Sequence, residues 1–436
     1  MSDLISHAQE AARCGDWARV TDFLQHALIP ESALSVAGSD ISCWLDLALQ
    51  VLREGDFHEQ WEVTKVFQCF GTAAIAPLIT LLQDEDAELE AQWFAARILG
   101  NSNHPMAIRA LVEQLKTSDD DDLSKMLAEA LANLGISAIE ALTNLLASEE
   151  TRLLALQALV QIRHSETVTP LLSVVNDPDP SIRATAIQAL SSFRDPRTPD
   201  VLVQALGDPS ATVRKAAIAG LSVRTDLIDS FGLVNRLADH LWDLDISVCH
   251  QAGLALGRLG HDAAIPALEQ VLKSANTPLL LQQDAIRALS WLGSKTALET
   301  LKHWLLADSG HPSTVAYLEG VTALGRWNRP DLQPLAAEVL VNVLNAQPFV
   351  DHATLRQAIA TALGELKQPS SLEPLIYLLE DEDTGVRLHA IAALRAIDPQ
   401  TAYTRLEAMQ ASTELSEKLR AGIAMALSEW RTELPR

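Results

Sequence analysis

The sequence predicts an all-α protein, a right-handed α-α superhelix of about twelve stacked two-helix units. The first observation is an internal repeat. The segment D-P-D-P-S-I-R-A-T-A-I-Q-A-L at 177–190 returns as D-P-S-A-T-V-R-K-A-A-I-A-G-L at 208–221 and as D-E-D-T-G-V-R-L-H-A-I-A-A-L at 381–394. With the arginine as anchor, equivalent positions run through Trp61, Glu90, Lys125, Arg152, Arg183, Arg214, Cys249, Gln282, Tyr317, Arg356, Arg387 and Arg420, a step averaging about 33 residues. The second observation is helical periodicity within each unit. The third is the near absence of strand signals: three tyrosines, no sustained alternation and no Asn-Gly turn.

Each unit divides in the same way. In the unit at 73–100, AIAPLITLLQ predicts a first helix, Asp84 and Asp86 a turn, and LEAQWFAARILG a second helix ending at glycine. Acidic turn residues cap the second helix and favour its dipole. Gly100, Gly135, Gly260 and Gly293 stand where a C-cap glycine belongs. Small and apolar positions at −1, +3, +6 and +7 from the anchor form one buried stripe, and alanine at +3 and +6 admits a close neighbour. The spacing of Asp177 to Arg183 and of Asp208 to Arg214 predicts a ladder of arginines meeting turn carboxylates. Residues 1–56 are helical but off the pattern, as expected for a cap that seals the end of a repeat array, with a loop across 26–40. The solenoid is expected over 57–436.

Composition bounds the partners. The chain has 436 residues, too many for one core of ordinary size. A hydrophobic fraction of 48% against 5% aromatics assigns the core to leucine and alanine. With 57 acidic and 33 basic side chains the net charge is −24, which argues against nucleic acid and against an anionic membrane as the main partner. There is no apolar run of spanning length, no signal-peptide pattern at the start, and no disulfide framework among four cysteines. A cytoplasmic protein is expected.

The motif L-x-x-L-L-x-D-x-D-x-x-V-R-x-x-A-x-x-A-L resembles the HEAT repeat, in the short form of the phycobilisome-lyase HEAT-like family of cyanobacterial type. The resemblance covers about 57–432 and is specific for fold. Asp turn and Arg anchor occur together at 177–183, 208–214 and 381–387, and are lost around 149–152, 274–282 and 308–317, where irregular turns are expected. The resemblance implies an extended groove suited to a protein partner.

Catalytic motifs are sparse. Deoxyhypusine hydroxylase, a HEAT-like relative, holds two irons on His-Glu pairs, but only His58-Glu59 has that dipeptide here, expected before a helix. The twelve histidines form no H-x-x-x-H, and no G-x-S-x-G or glycine-rich phosphate loop is present. Asp119–Asp122 occupies a repeat turn and lacks the alternating ligands and glycine of a calcium loop. Cys14, Cys43 and Cys69 fall near the N-terminus; they read either as small core residues or as thiolate ligands of an iron–sulfur cluster.

The candidate partner-binding residues form a basic and aromatic column. Position +9 is Arg258, Trp291 and Arg326 in three consecutive units, with Arg287 and Trp327 beside them. Arginine and tryptophan dominate binding hot spots; alternatively the two tryptophans plug gaps between helices. The expected function is a non-enzymatic adaptor or chaperone without a cofactor, acting in phycobilisome or cofactor assembly on a phycobiliprotein or an iron–sulfur assembly factor. A bilin lyase component is the alternative the resemblance implies, with Arg287 or Arg326 on a propionate of an open-chain tetrapyrrole and Trp291 stacked on a ring. An iron–sulfur protein using the three cysteines is a third reading.

Overall fold

The computed structural model describes residues 2–28, 38–307, 313–346, 352–411 and 415–431. Among them are 27 α-helices, joined by short 3-10 turns, and no strand. His311 and most of the expected 26–40 loop lie outside the described residues. No single helix is long and apolar enough to cross a membrane.

The chain divides into two compact units, 1–205 and 206–436. In the first, the second helices of successive repeats, Phe57–Thr64, Leu89–Leu99, Asp121–Asn133, Glu149–Ile162 and Pro180–Leu190, each pack on the next. In the second unit the same column runs through Ala211–Leu221, Ile246–Leu259, Leu279–Leu292, Thr314–Gly325, Ala353–Leu366 and Thr384–Ile397. Residues 1–56 supply the helices Ser2–Arg13, Trp17–Leu28 and Gly38–Glu54, whose Leu24, Trp44 and Leu52 share one core with Val63 and Leu78 of the first repeat. Burying leucines of this kind contributes about 1.5–3 kcal/mol each, and stacking is what makes the burial complete.

Turn chemistry follows the sequence. Asp120, Asp179, Asp245 and Asp383 are N-caps whose carboxylates accept backbone N–H groups at the start of the second helix. The 119–122 run is thereby a helix start. Asp56 does the same one residue before Phe57, with Glu59 completing a capping box, so His58-Glu59 lies inside a helix, not ahead of one.

The anchor side chain donates back to a carbonyl of the turn it follows. Arg183 Nη1 donates to Asp177 O at 2.8 Å, Arg214 Nη1 to Asp208 O at 2.8 Å, and Arg387 Nη1 to Asp381 O at 2.6 Å. Cys249 Sγ and the Tyr317 hydroxyl do so in degenerate repeats. Arg152 keeps the bond, to Leu146 O at 2.8 Å, although its turn has lost the aspartates. This bond corrects the register at the N-terminal end. Gln60 donates to Leu52 O at 2.9 Å and Gln92 to Asp84 O at 2.7 Å, so these glutamines hold the anchor place assigned to Trp61 and Glu90. The ladder also forms. Arg152 meets Asp177 at 3.0 Å, Arg214 meets Asp243 at 2.6 Å and Arg356 meets Asp381 at 2.5 Å, each carboxylate belonging to the next turn along the chain.

Glycine at +8 sets how closely the second helices approach. A Cβ on Gly100 would lie 2.8 Å from Ala130 Cα, and Gly257, Gly325 and Gly364 are equally tight against Ala288, Ala362 and Ala393. Each of those alanines stands at +6 of the next repeat, with Ser124 in place of Lys125 as the anchor for Ala130. Gly100 is therefore a packing residue with helical φ of −61°, not the expected left-handed cap. Gly260 and Gly293, with φ of +65° and +62°, do end their helices in the left-handed region.

Candidate partner-binding site

Two second helices of the 206–436 unit line the site, and a third, Ile246–Leu259, backs it. Leu279–Leu292 contributes Arg287 at +5 and Trp291 at +9, one helical turn apart on a common face. Thr314–Gly325 contributes Glu319 and Thr322, and Arg326 caps its C-terminal end. These groups line a recess of about 400 Å³ together with Ser290, Ala323 and Asn328. The Trp291 ring lies against Gly257 of the preceding repeat, where a Cβ would come within 2.8 Å of Cε3. The indole is nevertheless 49% exposed. One ring region is fixed by packing while the rest faces solvent.

Arg287 is not free. Its Nε and Nη2 donate to the two Glu319 oxygens at 2.7 and 3.1 Å, and its Nη1 lies 3.8 Å from Asp284 Oδ1. The hydrogen bonds to Glu319 hold the guanidinium above its ordinary pKa. Asp284 is buried and pairs with His250 of the preceding repeat. The result is a chain of four titratable groups, His250, Asp284, Arg287 and Glu319, across three repeats. The Arg326 side chain is exposed and has no hydrogen-bond or ion-pair partner among the described residues.

The predicted column is therefore resolved residue by residue. Arg287, Trp291 and Arg326 share the recess; Arg258 is exposed on the preceding helix and does not line it. Trp327 must be corrected: at 2% exposure it is core, because the chain turns after Gly325 and folds the indole inward. Glu319, Asp284 and His250 were not singled out from the sequence, since a lone carboxylate at +2 carries no pattern. The cysteines do not converge. Cys14 is exposed beyond the first helix, Cys43 packs partly buried against the core, and Cys69 Sγ donates to Leu28 O at 3.2 Å. Among the described residues no group of three or more His, Cys, Asp or Glu is placed to hold a metal ion, so the cluster reading loses its geometric basis.

The repeat matches the family of HEAT repeats over residues 75–151, 139–222, 232–316 and 338–428. The chain belongs to the HEAT repeat family. Among curated proteins this HEAT-repeat chain is similar to the bilin biosynthesis protein PecE of Mastigocladus laminosus, 29% identical over 169 residues. That similarity takes in 38% of this chain, which spans 57% of the length of PecE. Among solved structures, Kap95p, described in its binding to RanGDP, superposes with a TM-score of 0.52 at 12% identity, covering 97% of this chain and 63% of that one. It shares the all-α superhelical solenoid fold. The complex of CpcE and CpcF of phycocyanin lyase from Nostoc sp. PCC7120 gives a TM-score of 0.32 at 18% identity, covering 60% of this chain and 94% of that one. It superposes too loosely to add to that.

Proposed function

We propose that this HEAT-repeat protein binds another protein in phycobilisome assembly, through the surface formed by Arg287, Trp291 and Arg326. The observation that carries the reading is the pairing of a half-exposed indole with an unpartnered arginine in one recess, on a chain of net charge −24. Such a chain repels acidic partners over most of its surface, so an exposed cation beside an aromatic ring selects where an anionic group is accepted. Glu319 neutralises Arg287 and positions it, which leaves Arg326 to meet the partner's charge. The surrounding assembly is argued from the similarity to PecE. That similarity also favours a second reading, in which the recess holds an open-chain tetrapyrrole, with Arg326 on a propionate and Trp291 on a ring.

Affinity capture from a phycobilisome-containing cell, followed by titration of the identified partner, tests the first reading. Trp291→Ala and Arg326→Gln should stay folded, losing about 1 kcal/mol of stability or less, and each weaken binding about thirtyfold, the change for loss of a hot-spot residue worth about 2 kcal/mol. Unchanged affinity in both folded variants rejects the surface. Mixing the purified protein with free bilin separates the readings: a shifted visible band abolished by Trp291→Ala supports the tetrapyrrole, and an unchanged spectrum rejects it.

A further inference from the structure

The 1–205 unit carries a second arginine–aromatic surface, on different repeats. Arg97 lies on Leu89–Leu99 with its guanidinium carbon 4.1 Å from the Trp61 ring centroid and 5.7 Å from that of Trp93. Trp61 comes from the neighbouring second helix, so the cation lies between indoles of two successive repeats. Phe57 stacks beside Trp61 at 6.5 Å and contacts Phe94 at 5.5 Å. The face is uncovered: Phe57 is 55% exposed, Leu89 49% and Trp61 37%. Large apolar side chains gathered in this way mark interaction surfaces more often than lone ones do.

The unusual feature is the charge. Arg97 is half-buried and, among the described residues, has no carboxylate partner. Nearby acids are engaged elsewhere: Asp56 and Glu59 form a capping box, and Glu62 is held by Lys65 and Gln25. Glu90 is seven residues from Arg97 on the same helix, about 10 Å along its axis. A half-buried guanidinium over two indole rings has given up part of its hydration, while its donors remain unmatched by any anion among the described residues. A carboxylate arriving at that edge forms two charge-assisted hydrogen bonds in an environment less watery than the open surface.

We propose that Phe57, Trp61, Leu89, Trp93 and Arg97 form a docking surface for a protein segment that presents one carboxylate among apolar side chains. The carboxylate takes the edge of Arg97, and the apolar neighbours cover Phe57 and Leu89. The surface is independent of the Arg326 recess.

Selection of displayed random peptides on the immobilised full-length protein tests it, followed by titration of the enriched peptides. Enriched sequences should carry Asp or Glu flanked by apolar residues. Arg97→Gln and Leu89→Ser should each weaken binding at least tenfold, Arg97→Lys less, and Arg326→Gln not at all. Amidating the peptide's carboxylate should cost the same tenfold in the native protein and nothing further in Arg97→Gln. Circular dichroism of each variant checks that it is folded, and Leu89→Ser alters an exposed side chain only. Enrichment of peptides without an acid, no enrichment, or unchanged affinity in folded Arg97→Gln and Leu89→Ser overturns the proposal.

Discussion

Arg97 and Arg287 occupy the same place in the repeat, five residues after a glutamine anchor, yet they are held by opposite chemistry. Arg97 lies over Trp61, at +1 of the preceding repeat, and the +2 places of its own and the next repeat are Phe94 and Met126. Around Arg287 those three places are His250, Asp284 and Glu319. The backbone scaffold is common to both: Gln92 and Gln282 each donate to a carbonyl of the preceding turn, at 2.7 and 3.1 Å. A HEAT array thus fixes where a +5 side chain stands and leaves its surroundings open to substitution. Aromatic faces leave the arginine's donors available, whereas carboxylates consume them. The first arrangement suits recognition by Arg97 itself; in the second Arg287 is a strut, and recognition passes to Trp291 and Arg326.

The largest expected effect tests the apolar side of this comparison. Phe94 is fully buried, and Phe94→Ala should cost about 3–5 kcal/mol of stability, read from the urea midpoint, with the same loss in low and high salt. A loss below about 1 kcal/mol would break the claim that aromatic packing holds the Arg97 region.

Trp291 and Trp327 offer an equally sharp contrast. Trp327→Ala should cost about 3–5 kcal/mol, because its indole is 2% exposed, while Trp291→Ala should cost about 1 kcal/mol or less. Comparable melting temperatures for the two variants would show that both are core.

A smaller effect separates the arginines themselves. Arg287→Gln should lower stability by about 1 kcal/mol, shrinking as salt is raised, because a partly exposed ion pair is screened. Arg97→Gln should cost about 0.5–1 kcal/mol through lost cation–π contact, with a weaker salt response. The same salt dependence in both would remove the distinction between them.

The pH dependence should be the mildest near neutrality and confined to acid. Burial raises the pKa of Asp243, but hydrogen bonds from Arg214 and the Asp245 amide outweigh it and leave the carboxyl below its ordinary value. Arg197 holds Asp195 at about 2, and backbone N–H groups lower Asp179, Asp383 and Asp398. Each folded value lies under the unfolded one of about 3.9. Their stabilisation is therefore complete above that pH and is lost as pH falls through the folded values. The melting temperature should be flat from about pH 7 to 5 and drop between about 4 and 2. Asp243→Asn should flatten part of that drop; an unaltered profile would show that the Arg214 pair does not contribute to it.

Much of the site was legible only once the register was right. The column of Arg258, Trp291 and Arg326 follows although its anchors, Cys249, Gln282 and Tyr317, are all degenerate, because the small residues at +3 and +6 (Ala252 and Ala255, Ala285 and Ala288, Gly320 and Ala323) keep the register. The Arg97 surface was missed because Trp61 and Glu90 were aligned with the anchors. With Gln60 and Gln92 in that role, Trp61 and Trp93 both fall at +1 and Arg97 falls at the place of Arg287. The signal was present, but a glutamine does not announce itself as the equivalent of an arginine. What the two share is a donor long enough to reach back to the preceding turn.

The sequence by itself determined the repeat, its helix pairs and its capped turns, because these depend on local chemistry: apolar spacing, aspartate N-caps and the left-handed glycines at 260 and 293. It also determined that each anchor arginine reaches its own turn, six residues back, whereas the ladder carboxylates of Asp177, Asp243 and Asp381 come from the next turn and were placed by the stacking of repeats. Tertiary structure alone decided that Gly100 serves close packing on Ala130 and not a cap, since the deciding atom belongs to the next repeat. It alone decided that Trp291 remains half-exposed while Trp327 is buried. Those two side chains differ by one step in the repeat, and whether that step still lies on the helix or just past its end sets the direction of the indole. Burial depends on where a neighbouring helix happens to stand, and the chain specifies that only through the packing of all its repeats together.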